Sequence, residues 1–411
     1  MDAVILTALM LVAGFAAGGL AARLHLPRIT GYLIAGMLLN PSASHAISQA
    51  AVDKLSFIVP VVLGVVSYMI GGGLRLKAVR QLGKAIVSIT VFQGVTPFFF
   101  SFLLVAGLGP FVLSVPGGRG FFATFVPMGL VLGAIAVSSA PAAIVAIVHE
   151  CRARGSVTTT CLAVLALTDA ITVIAFACSL DIGRALVDGQ QIEGLGNMLA
   201  APLFHILGSL SAGTAFGWLL IKGLDRIRGR GALLAAVFAG ILVLTTAAET
   251  WGLSSILANM TAGFVVANRS GREEMLTVLE RVEEALFALF FVLSGMYVDV
   301  AALNAAAALV ALIMAGRKIG KYAGARIGAA VADAPEALRK YPGFVLLPKA
   351  GLTLGLAFVA RQAFPSFGPL LFNALLASTV INMLLTPPLA KLALVRSGES
   401  GCREPATEFS R

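Results

Sequence analysis

Charge is what this 411-residue chain has least of: Asp, Glu, Lys and Arg make up 12% of it, against 58% hydrophobic residues. A soluble domain carries roughly 25% charged residues, so the composition excludes a water-soluble fold. A mean hydropathy of +0.94 identifies an integral membrane protein. Cysteine is also scarce. Cys151, Cys161, Cys178 and Cys402 form no CxxC pair and no disulfide framework. His25, His45, His149 and His205 fall on different loops or apolar runs without metal-ligand spacing, which leaves an enzyme without a basis and calls for no cofactor. There is no polybasic run and no aromatic platform for nucleic acid. The formal net charge of +10 is dispersed over short loops, where it reads as a topology signal. A basic leader segment is missing too. The chain begins Met1-Asp2 and runs straight into an apolar stretch, which predicts a retained first helix rather than a cleaved signal.

What is present is a series of apolar runs. By the roughly 20-residue length of a membrane span, thirteen are expected, near 3–22, 27–42, 55–73, 84–107, 121–148, 158–180, 198–221, 231–248, 252–268, 283–298, 301–329, 341–361 and 366–394. Basic residues alternate between the loops. The loops after odd-numbered runs hold Arg23, Arg28, Arg75, Lys77, Arg80, Lys84, Arg152, Arg154, Lys222, Arg226, Arg228, Arg230, Arg269, Arg272, Arg281, Arg326, Arg339 and Lys340. The others hold Lys54, Arg119, Arg184 and Arg361 together with Asp53, Asp181, Asp188, Glu193, Glu249 and Asp299. This asymmetry predicts an external N-terminus and a cytoplasmic C-terminus.

Few charges remain at membrane depth: Asp169, Arg317, Lys318, Lys321 and Lys349. A carboxylate there costs about 2.5–3.5 kcal/mol on insertion scales, so Asp169 is expected either to mark an ion or proton path or to hold the bundle together through a basic partner. Arg317, Lys318 and Lys321 share about a third of one helix circumference, and one of them can meet Asp169. Snorkelling to the interface is the expected role of Lys321. Two runs carry helix breakers, Ser138-Ser139-Ala140-Pro141 and Leu347-Pro348-Lys349-Ala350-Gly351. Proline removes an amide donor, so both runs are predicted to open at mid-membrane, where freed carbonyls and the hydroxyls of Thr168, Ser138 and Ser139 can surround a hard cation.

The breaks sit in corresponding places of a weak repeat. Leu26-Pro27-Arg28-Ile29 leading to Ala35-Gly36 echoes Leu253-Ser254-Ser255-Ile256 leading to Ala262-Gly263, and Gly71 with Leu74-Arg75-Leu76 echoes Gly295 with Val298-Asp299-Val300. The units start on opposite sides of the membrane. Such inverted repeats place a binding site at their interface and alternate its access by moving one bundle against the other.

These stretches resemble the bacterial monovalent cation/proton antiporters of the Kef-like and NapA-like kind. Leu26 to Gly36, Ala136 to Ala143, Leu167-Thr168-Asp169-Ala170, Asn259-Met260-Thr261-Ala262-Gly263 and Phe291-Val292-Leu293-Ser294-Gly295 are similar to family motifs and occur in the family's order. The resemblance implies an all-α protein of about thirteen helices in the bacterial inner membrane, a homodimer among lipid. It divides the protomer into a scaffold (1–82 and 230–299), a moving core (83–182 and 300–394), a linker helix (183–229) and a polar tail (395–411). It also implies that Asp169 binds Na+, Li+ or K+ in competition with protons, Na+ foremost. Gly320 and Gly324 follow Arg317 in the family's spacing, which favours Arg317 over Lys318 as the partner of Asp169. An arginine keeps its proton, so this pairing predicts one proton per cation. Thr168 stands where electrogenic relatives have a second Asp, and Lys349 where a neutral residue is usual. Lys349 also keeps open a non-transporting sensor or partner subunit. A K+/H+ efflux antiporter is the nearer alternative, with only a short polar segment after Leu394 where such proteins usually carry a regulatory domain. His149 and Glu150 end the fifth run and are expected to be a solvated helix end.

Overall fold

The computed structural model describes residues 3–23, 28–41, 47–74, 83–115, 117–118, 120–188, 195–224, 227, 229–272, 274–298, 303–349 and 351–399. Arg75, Lys77, Arg80, Arg119, Glu193, Arg226, Arg228, Asp299, Cys402, His25 and His45 lie outside the described residues, as do the side chains of Pro141, His149 and Glu150.

All regular structure among the described residues is helical. The first part of the chain forms α1 (Ala3–Arg23), α2 (Arg28–Leu38), the short α3 (Gln49–Asp53), α4 (Ile58–Gly73) and α5 (Lys84–Val112). A π-helical turn over Phe121–Phe125 leads into α6 (Val126–Ala136); α7 (Pro141–Glu150) follows a break, and α8 (Ser156–Val187) carries Asp169. Then come α9 (Leu195–Leu224), α10 (Arg230–Thr250), α11 (Ser255–Arg269), the short α12 (Glu274–Thr277) and α13 (Glu280–Met296). The last part holds α14 (Leu303–Val331), the short α15 (Glu336–Lys340) and α16 (Pro342–Val345), α17 (Gly351–Ala363) and α18 (Gly368–Arg396).

The helices follow the apolar runs, and seven described ones are individually long and apolar enough to cross a bilayer. Length explains part of the difference from thirteen: α2, α11 and α13 have 11, 15 and 17 residues. The runs at 121–148 and 341–361 are each divided by a break. Apolar side chains point outward, among them Phe99, Leu103, Phe111 and Trp218. So large an apolar exterior is a liability in water and the expected surface in lipid.

The repeat is visible in the packing. Gly36 on α2 lies against Gly295 on α13, and Gly263 on α11 lies against the backbone of Tyr68 and Gly72 on α4, beside Gly71. A Cβ at Gly36, Gly295, Gly263 or Gly71 would overlap a carbonyl oxygen of the facing helix. Small residues let membrane helices approach backbone to backbone, so the two repeat-related glycine pairs form equivalent contacts. A second seam joins α14 to α5. Gly316, Gly320, Gly324 and Gly328, one turn apart, face Ser101, Pro97, Phe92 and Ile89. That close approach brings Arg317 and Lys321, which flank the stripe, to the interior.

Candidate ion-binding site

The site begins with proline chemistry. Pro141 and Pro348 have no amide hydrogen, so neither chain can continue its helix bonding through the break. Each break satisfies the other: Ala140 N donates to Pro348 O at 2.9 Å, and Ser139 Oγ donates to Leu346 O at 3.0 Å. The hydroxyls of Ser138 and Thr353 meet at 2.8 Å. Half-helices α6 and α7 therefore cross α16 and α17 through backbone as well as side chains, with Ser138, Ser139, Pro348 and Lys349 all buried. Gly351 opens α17.

Carbonyls left over at the breaks take cations from α14. Arg317 donates from Nη1 to Leu347 O at 2.6 Å and from Nη2 to Ser138 O at 2.8 Å and Pro348 O at 3.4 Å. Lys321 Nζ donates to Val137 O at 2.6 Å and Ser139 Oγ at 2.9 Å. Asn382 of α18 adds an amide to Leu347 O at 3.1 Å. A guanidinium spans the separated carbonyls because its donors form a planar fork, whereas an ammonium occupies one point.

Asp169 is 4% exposed, and its Oδ1 has no hydrogen-bond partner among the described residues. Lys321 and the Ser139 backbone amide are its electrostatic neighbours. The expected pairing with Arg317 or Lys318 differs from this geometry. Arg317 is held by the broken-helix carbonyls, and Lys318 is only half-buried. Lys321, expected to snorkel, is instead wholly enclosed. The reason is geometric: a snorkelling lysine must reach the interface, but here the stripe packed on α5 directs the side chain to the break. Thr168 is buried, and its hydroxyl donates to Leu165 O of its own helix at 3.1 Å, which leaves its lone pairs free. Lys349 Nζ is buried without a hydrogen-bond partner among the described residues.

Sequence reasoning placed Lys321 at the interface, and passed over Asn382 and the pair formed by Asp181 and His205 at 3.3 Å between α8 and α9. Asn382 carried a usable signal, an amide within an apolar run. The motif at Asn259 builds packing rather than the crossover: Asn259 Nδ2 donates to Thr245 Oγ1 and Ser255 O, both at 2.9 Å. Among the described residues no group of three His, Cys, Asp or Glu side chains is placed to hold a resident metal.

One buried carboxylate beside hydroxyl oxygens at broken helices is chemically able to hold either a proton or a dehydrated monovalent cation. The sequence profile of the sodium/hydrogen exchanger transmembrane family matches residues 6–392. The chain is 24% identical over 389 residues to the Na(+)/H(+) antiporter NhaS4 of Synechocystis, covering 90% of this chain and 92% of that one. It is 27% identical over 283 residues to the K(+) efflux antiporter 6 of Arabidopsis thaliana, covering 67% of this chain and 44% of that one. The structure of the sodium proton antiporter MjNhaP1 of Methanocaldococcus jannaschii is similar in fold, with a TM-score of 0.75 at 14% identity over 96% of this chain and 98% of that one.

Proposed function

The chain belongs to the sodium/hydrogen exchanger family, and from that premise we propose that it exchanges Na+ for protons across the bacterial inner membrane by alternating access. The observation that carries this reading is Asp169, a buried carboxylate with one oxygen unpartnered among the described residues, beside the broken helices. Cation and proton compete for that carboxylate, and the oxygens of Thr168, Ser138 and Ser139 complete the cation's shell. The chain crosses the membrane thirteen times with its N-terminus outside. Residues 83–182 and 300–394 form the moving core, and residues 1–82 and 230–299 form the scaffold and the homodimer contact. K+ is the second candidate ion, since one relative is a K(+) efflux antiporter.

One-for-one exchange presupposed an arginine facing Asp169. With Lys321 as its charged neighbour, we propose instead that cation binding releases one proton from the Asp169 carboxyl and one from the Lys321 ammonium, so that two protons move per cation. A lysine can do this in a protein and an arginine cannot. The deciving experiment is cation-driven proton movement in proteoliposomes with Na+, Li+ and K+ in turn. Wild type is active and Asp169→Asn is silent; a silent wild type would instead favour a sensor on the antiporter fold.

A further inference from the structure

One aromatic ring joins residues 1–82 and 230–299 to residues 300–394 at the end of the bundle where Asp53 and Arg361 lie. Tyr297 follows α13 and is pinned from both sides, because Asn40 Nδ2 donates to Met296 O at 3.0 Å and to Val298 O at 2.5 Å. Its hydroxyl donates to Asp53 Oδ1 at 2.9 Å, and Gln49 Nε2 donates to the same oxygen at 3.0 Å. The other side of the contact comes from α17 and α18. The guanidinium carbon of Arg361 lies 4.3 Å from the centre of the Tyr297 ring and 5.4 Å from that of Phe372. One turn deeper on α17, Phe358 meets Tyr297 edge to face at 5.2 Å. Beneath these rings Gly355 receives the side chain of Leu63 from α4, which a Cβ at that position would strike. Phe358 and Leu63 are buried, so this side of the bundle is shut from Arg361 down to Leu63.

The contact is suited to break and reform. Arg361 Nη1 is buried without a hydrogen-bond partner among the described residues, while the ring face and the nearby charge of Asp53 attract the guanidinium. When the two parts separate, that nitrogen regains water. A guanidinium over a ring is worth about two- to thirtyfold in an equilibrium, which biases two states without trapping either.

We propose that Arg361 and Tyr297 form the lock of an external gate, closed in this structure, whose release opens the way from outside towards the crossover. The lock rests on alternating access between the two parts of the chain it joins.

The test is cysteine accessibility on intact cells. Leu63→Cys is placed in a protein with Cys151, Cys161, Cys178 and Cys402 replaced by Ala, and its reaction with an impermeant thiosulfonate is timed. With the open state in the minority, the rate follows its population. Arg361→Ala speeds labelling about two- to thirtyfold, and Tyr297→Leu does the same. Combining them adds nothing to either, since both remove one contact. Arg361→Lys, whose ammonium also sits over a ring, stays nearer the slow rate. An unchanged rate in Arg361→Ala, or a double variant whose acceleration is the product of the two singles, overturns the lock. Should Leu63→Cys not fold, Val59→Cys, likewise buried and one turn nearer the start of α4, takes its place. Asp169→Asn loses exchange yet responds to Arg361→Ala in the same way, so the lock and the reading of Asp169 fail in different assays.

Discussion

Lys321 and Lys349 are both enclosed lysines, but their surroundings differ. Lys321 donates to a carbonyl and a hydroxyl of the first break and neighbours Asp169. Lys349 has no such acceptor among the described residues. The difference predicts separable behaviour. In Lys321→Gln the amide can still donate to Val137 O, but no proton can be carried at that position. The reversal potential of the transport current in proteoliposomes should then move from the value for two protons per cation to equal exchange, with a reduced but measurable rate. An unchanged reversal potential would remove Lys321 from the proton path. Both lysines were conspicuous as charges in apolar runs. Their partners were not, because a 3.6-residue period places side chains on a face but does not say which neighbouring helix that face meets.

At the scale of elements, the helix carrying Asp169 depends on a residue far along the chain. Helix α8 starts after Gly155, which has no side chain to cap the free amides of the first turn. Glu399, just beyond α18, supplies the cap. Its carboxylate accepts from Val157 N at 2.7 Å, Thr158 N at 2.8 Å and Thr158 Oγ1 at 2.9 Å, while Arg154 N donates to Glu399 O at 2.9 Å. Read as sequence, Glu399 was part of a polar tail. Nothing local distinguishes a capping carboxylate that arrives from more than 200 residues away. A lost cap costs about 0.5–2 kcal/mol, with a further 0.3–1 kcal/mol for the negative charge at the helix start. Glu399→Ala should therefore lower the thermal unfolding temperature in detergent, with Glu399→Gln intermediate. Equal stability of all three proteins would mean that the contact contributes nothing. The broken elements were legible for the opposite reason: proline abolishes a backbone donor wherever the chain places it.

For the whole molecule, the proposed orientation makes a direct prediction. With Cys151, Cys161, Cys178 and Cys402 replaced by Ala, Asp188→Cys should react with an impermeant maleimide on intact cells. Arg281→Cys should react only after the membrane is opened. Both native side chains are exposed, so access is decided by the side of the membrane. The reverse pattern would overturn the orientation, and both sites labelled from one side would break the thirteen-span topology. The repeat that accords with this topology was faint in sequence, a few matched glycines and apolar residues. In the fold the same glycines form the two equivalent backbone contacts, Gly36 with Gly295 and Gly263 with α4 beside Gly71.

The sequence by itself determined the solvent, the helical class, the two breaks and the isolation of Asp169 as a lone carboxylate in an apolar run. Each follows from a property carried by a single residue or run: apolar length, a missing amide hydrogen, or the cost of a lone carboxylate in lipid. Only the tertiary structure decided that Arg317 goes to the carbonyls and Lys321 to the side of Asp169, that Glu399 caps α8, and that Lys349 and Arg317 share a cavity with no carboxylate in its described lining. Those outcomes are pairings between distant segments. Their physical cause is the close approach of α14 to α5 and of one broken helix to the other, which no stretch of sequence contains alone.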